Sequence, residues 1–117
     1  MLKTKIALAV ICSFSFSLAQ AYEVKKVCAK YETDYTWSKP YAVTTNIYSG
    51  TELNKEVGSY TKYSSINHYA VIFWSNEQAS IIKLSPPYMS GMMMINKKGN
   101  DQNGRSWQLS DNSYGCF

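Results

Sequence analysis

The chain has 117 residues, enough for one small domain and too few for several. Its 12 Lys and Arg against 8 Asp and Glu give a formal net charge of +4, too weak a bias to argue for nucleic acid as a partner. Aromatic residues make up 15% of the chain, and with Val, Ile and Thr they read as strand composition.

The first segment has the three parts of a secretory signal. Lys3 and Lys5 form a positive start, Ile6 to Leu18 an uncharged apolar stretch, and Ala19-Gln20-Ala21 a small-residue cleavage site. The apolar stretch of about 13 residues falls short of the ~20 that a bilayer-spanning helix needs, so no membrane anchor is expected. Cys12 raises a lipoprotein signal as an alternative, but Ile11 precedes it where a small residue is usual. The expectation is a signal peptide over 1–21, cleaved near Ala21, and a single domain over 22–117 exported to the periplasm.

Cleavage leaves two cysteines, Cys28 and Cys116, one near each end of the mature chain. In an oxidising compartment such a pair is expected to form a disulfide. That bridge requires the first and last elements to be neighbours in space. Loss of Lys3 and Lys5 leaves ten basic against eight acidic residues, a net charge near +2.

The body of the chain shows alternation and short apolar runs, with no clear helical period. Glu23 to Tyr35 and Tyr41 to Tyr48 read as two strands joined through Trp37-Ser38-Lys39-Pro40, the second ended by Ser49-Gly50. Val57 to Tyr63 reads as a further short strand. His68 to Ser75 is the clearest strand, apolar enough to be covered on both faces. Asn76-Glu77 make a tight turn, and Ala79 to Leu84 run back to complete a hairpin. Pro86-Pro87 forbids regular structure. Met92 to Asn96 and Arg105 to Ser110 form a late pair around the turn-rich Lys97 to Gly104, and Tyr114 to Phe117 return Cys116 to Cys28. The fold class is all-β: a small antiparallel barrel of seven or eight strands with stapled ends.

Catalytic chemistry is sparse. His68 stands alone inside an apolar strand, and no nucleophile elbow, phosphate loop or metal-ligand cluster is present. Glu32 and Asp34 share a strand face, as paired carboxylates of a glycosidase would, yet acidic residues on a solvated face are commoner. The reading is therefore a binding protein without catalytic residues, cofactor or metal.

Ser59-Tyr60-Thr61-Lys62-Tyr63, then Tyr69 to Asn76 and Ala79 to Lys83, resemble the c-type lysozyme inhibitor family, the periplasmic and membrane-bound inhibitors of Gram-negative bacteria. That family is built on a signal, an early cysteine, a Ser-Gly-x-x-Tyr loop, a Phe-Trp-x-Lys-Gly hairpin, a return strand and a late cysteine. The resemblance implies an eight-stranded barrel whose terminal strands are disulfide-linked, and a loop that enters the cleft of a muramidase. Ser59 matches the family serine, Tyr63 the loop tyrosine and Phe73-Trp74 the hairpin core. An inserted hydroxyl bonds the catalytic acid while an ammonium pairs with the second carboxylate.

Departures are informative. Tyr60 replaces the family glycine and Asn76 the family lysine, while Lys62 can supply the missing charge. The expected partner-binding residues are Ser59, Tyr60, Lys62 and Tyr63, with Asn76 and Glu77 beside them and the Lys97 to Gly104 loop next in line. The expected partner is a lysozyme-like muramidase, either a host enzyme or a bacterial effector toxin against which the protein gives immunity. A basic host lysozyme would favour an acidic inhibitor, and a charge near +2 gives no such help. The protein is expected as monomer or homodimer. The alternative class is a non-catalytic envelope module that binds carbohydrate through exposed Tyr and Trp or serves a structural role.

Overall fold

A computed structural model of the chain describes residues 22–75, 77–111 and 116. The expected signal peptide and its cleavage site at Ala21, Asn76 of the hairpin turn, and the return through 112–115 and Phe117 lie outside the described residues.

Six strands and one helix follow in order: β1 (Glu23–Tyr31), β2 (Tyr41–Ser49), α1 (Gly50–Val57), β3 (His68–Ser75), β4 (Gln78–Leu84), β5 (Lys97–Asn100) and β6 (Ser106–Asp111). Each strand pairs antiparallel with the next, and β6 returns to β1 to close the barrel. The closing ladder sets Val27 opposite Asp111 and Tyr31 opposite Trp107. Closure is least complete between β4 and β5, which pair only at Lys83–Asn100 and Leu84–Gly99.

The core follows from strand alternation. Val27 and Ala29 of β1, Ile47 of β2, Ala70 and Ile72 of β3, and Ile82 and Leu84 of β4 meet Trp107 and Leu109 of β6 inside. Burial of each large apolar side chain is worth roughly 1.5–3 kcal/mol. On the outer face Tyr48, Tyr69 and Val71 pack under Leu53 of α1. β3 is therefore covered on both faces from Tyr69 to Ile72, as its continuous apolarity predicts. β5 can approach β4 only because residue 99 is glycine, since a Cβ there would run into the Ile82 side chain and the Lys83 carbonyl.

The barrel has six strands, not seven or eight. Val57 to Tyr63 is not a strand: Val57 ends α1, which a complete capping box at Ser49 and Glu52 starts and the left-handed Gly58 stops. Met92 to Asn96 is not a strand either. It belongs to a strap, 85–96, laid across the lower end of the barrel, where β1, β3 and β5 begin. Glu23 accepts from Tyr88 Oη at 2.7 Å and from the Gly91 amide at 3.0 Å. Lys25 bonds the Met92 carbonyl at 2.7 Å and Asp111 at 3.1 Å, and Asp111 accepts from the Met94 amide. These side chains, with backbone bonds from Ser85 to the Lys98 carbonyl and from Asp111 to the Met94 carbonyl, hold the segment, which buries its own Tyr88 and Met94. The three-methionine run divides accordingly, Met94 in the core and Met93 exposed.

Candidate interaction surface

Two features stand out from the barrel, one at each end. At the lower end the loop 58–67 joins α1 to β3, and its frame is built by Asn54, buried on the last turn of α1. The Asn54 amide donates to the Tyr60 carbonyl at 3.3 Å and the Tyr63 carbonyl at 2.9 Å, and its oxygen accepts from the Tyr63 amide at 2.8 Å. Tyr69 Oη accepts from the Ser64 amide, and Gly50 donates to the Asn67 carbonyl. Gly50 touches the Ser64 carbonyl so closely that no side chain fits between them.

On this frame the expected site residues differ in role. Tyr60 is 95% exposed. Lys62 is exposed, its ammonium 5.8 Å above the Tyr63 ring. Tyr63 itself is half-buried, edge-on to Tyr69 at 5.0 Å, and holds the loop down. Ser59 Oγ accepts weakly from the Thr61 and Lys62 amides at 3.4 and 3.3 Å, leaving its proton to donate. Ile66 was not singled out from sequence, yet it is 85% exposed on the same loop. A groove of about 600 Å³ runs along Asn54, Ser59, Tyr60 and Tyr63.

Glu77 does not lie beside this loop. The loop enters β3 at His68 and the hairpin turn leaves it after Ser75, so the full strand separates them. Eight residues of strand span roughly 25 Å. Ser59, Tyr60, Lys62 and Tyr63 come together at the lower end, and Glu77 stands at the upper end, with Asn76 outside the described residues.

The upper end is a mouth of about 890 Å³. Its floor is aromatic: Trp74 stacks with Trp107 at 6.0 Å, Trp107 meets Tyr31 at 5.2 Å, and Tyr41 meets Trp74 edge-on at 5.9 Å. Phe73-Trp74 is thus not buried hairpin core. A register shift between Phe73 and Ser75 breaks the ladder there, and both rings are partly exposed. The hydrogen bond with Tyr31 raises the Tyr41 hydroxyl pKa above its ordinary value, and burial adds to the shift. The expected turn-rich loop Lys97 to Gly104 is half strand, since Lys97–Asn100 is β5. The turn that follows it frames one side, with Asp101 accepting from the amides of Asn103 and Arg105 and from the Trp107 indole.

His68 packs edge-on to Tyr88 at 5.3 Å. Burial, and then the hydrogen bond to Glu23, push the Tyr88 hydroxyl well above its ordinary pKa, so it serves as a donor at any physiological pH. Among the described residues no three His, Cys, Asp or Glu side chains gather as a metal site.

Cys28 lies between the inward-facing Val27 and Ala29, so its side chain points out of the barrel, where it shares a hydrogen bond with Cys116. Burial and the neighbouring thiol push the Cys28 pKa up to about 11. Cys28 and Cys116 are therefore neighbours, as a bridge between them requires.

These features define a small all-β protein, a closed six-stranded meander barrel with one capped helix and a projecting loop. Compared with protein-family models, curated proteins and solved structures, the chain matches none of them.

Proposed function

We propose that the mature protein is a periplasmic inhibitor of a peptidoglycan-cleaving muramidase, presenting the 58–67 loop to the active-site cleft. The observation that carries this reading is the loop itself. Asn54 holds its backbone in one shape while Tyr60 and Ile66 stand almost fully in solvent. Preorganisation lowers the ordering cost of association, and exposed aromatic anchors are typical of binding hot spots.

The chemistry matches a muramidase cleft. Lys62 supplies an ammonium for the ionised catalytic carboxylate, the Ser59 hydroxyl donates to the second acid, and Tyr60 fills a sugar subsite. Desolvation of the cleft strengthens both polar contacts. The resemblance to the c-type lysozyme inhibitor family supports the same assignment at Ser59 and Tyr63. Glu77 falls outside this contact. The target is a host lysozyme or an effector muramidase, and in the oxidising periplasm Cys28 and Cys116 form a disulfide.

The test is to mix the mature protein with a panel of muramidases, including any encoded next to its gene, and follow lysis of a cell suspension. At least one enzyme is slowed, and the double variant Tyr60→Ala, Lys62→Ala weakens that inhibition by roughly 2–5 kcal/mol. If no enzyme is slowed at molar excess, the proposal fails. If inhibition survives the double variant unchanged, the contact is not the loop.

A further inference from the structure

We infer that the upper mouth of the barrel is a glycan-binding site, with Trp74 as its stacking platform. It is separate from the loop and independent of the muramidase reading.

The platform is fixed before any ligand arrives. The Trp74 indole N–H donates to Ser80 Oγ at 2.9 Å, which sets the ring angle. Trp107, only 3% exposed, lies behind it at an interplanar angle of 25° and is itself pinned by Asp101 at 2.9 Å. Strand alternation puts Trp74 on the inward face with Ala70 and Ile72, and the register shift interrupts the ladder beside it. Trp74 remains 39% exposed, so part of its face is free.

The rim selects the ligand. Glu32, Asp34 and Glu77 line the mouth, and among the described residues no cation pairs with them. Arg105 lines the same mouth, its guanidinium 4.7 Å above the Tyr31 ring. Gln102 is not free to recognise anything, because its amide closes the β4 edge at Ile81 and Ala79.

Four ligand classes meet this wall differently. A purely apolar ligand would strip water from the three carboxylates without replacing it. A phosphate or nucleotide would be repelled by the same groups. A cation would find the Tyr31 and Tyr41 faces already held by Arg105 and by Lys39, 5.4 Å above Tyr41. A pyranose satisfies every part: its C–H face stacks on Trp74, its hydroxyls donate to the carboxylates, and Arg105 donates to a ring or acyl oxygen. The volume, about 890 Å³, suits a short oligosaccharide.

The experiment is calorimetric and fluorescence titration of the mature protein with N-acetylglucosamine oligomers, with a muropeptide, and with its sugar-free peptide. Both sugar-containing ligands give a saturable change in tryptophan emission, and the peptide alone gives none. Trp74→Ala and Glu77→Gln each weaken binding, the first by at least about tenfold, whereas Tyr60→Ala leaves it unchanged. Circular dichroism reports whether Trp74→Ala keeps its fold; should it not, Glu77→Gln and amide chemical-shift mapping of the mouth decide. Absence of saturable binding at millimolar sugar overturns the inference, as does binding that both mouth variants leave intact. Retained muramidase inhibition in Trp74→Ala keeps the two readings separable.

Discussion

Cys28 has two jobs that one environment sets. It lies in β1 between inward-facing residues, so its thiol sits on the outer wall, covered by Cys116. Burial penalises the thiolate, and the adjacent thiol adds to that penalty. With its pKa pushed from 9.0 to about 11, Cys28 is a poor nucleophile in the reduced protein. The sign of the linked stability follows. The folded state holds this proton more tightly than the unfolded chain, so the contribution is complete below about pH 9 and disappears as pH rises toward 11. Comparing reduced wild type with Cys28→Ser isolates this thiol from every other group. Urea melts from pH 8 to 11 will show the wild type losing more stability, and parallel curves would refute the assignment. In the oxidised protein this contribution vanishes altogether, because no thiol remains to titrate.

Helix α1 is the element that strand-oriented reading passes over. Eight residues give barely two turns, too few for a 3.6-residue apolar period to emerge from a chain rich in Val, Ile and Tyr. Its end signals were nevertheless written in the sequence. Ser49 and Glu52 stand at capping-box spacing, and Gly58 sits where a left-handed residue must stop the helix. Reading Ser49-Gly50 only as the end of β2 hid the first. Ser49→Ala removes the bond to the Glu52 amide and will cost about 1 kcal/mol, read as a lower urea midpoint. An unchanged midpoint would mean that Leu53 packing alone holds the helix. β3 was legible to the residue, because turns flank an unbroken apolar run. Met92 to Asn96 was not, since what holds it are Lys25, Ser110 and Asp111, distant in sequence and invisible to local pattern. The same limit applies to function. The loop was found from its Ser-Tyr-Thr-Lys-Tyr string, but the aromatic mouth joins Tyr31, Tyr41, Trp74 and Trp107 from four strands, and only closure of the barrel brings them together.

At the scale of the whole molecule, closure decides how a terminal bridge acts. β1 and β6 already pair through five residues, from Val27–Asp111 to Tyr31–Trp107, and the Lys25–Asp111 ion pair sits at the same seam. This seam has its own ladder and ion pair, so the expectation is a barrel that assembles whether or not Cys28 and Cys116 are bonded. A bridge between them would act mainly on the unfolded chain, where it would close a loop of about 90 residues and remove roughly 4–5 kcal/mol of loop-closure entropy in the chain-entropy model. For a domain of this size that is a large fraction of the net stability. Two signatures separate this mechanism from one in which the bridge builds the fold. Reduction, or Cys116→Ser, will lower the urea midpoint while leaving the near-ultraviolet signal of Trp74 and Trp107 intact at low urea. The denaturant slope will rise on reduction as well, because the freed unfolded chain exposes more surface. A reduced protein that has lost its native aromatic signal without denaturant would show instead that the β1–β6 seam cannot close on its own. The barrel would then depend on a Cys28–Cys116 bridge for its fold as well as its stability.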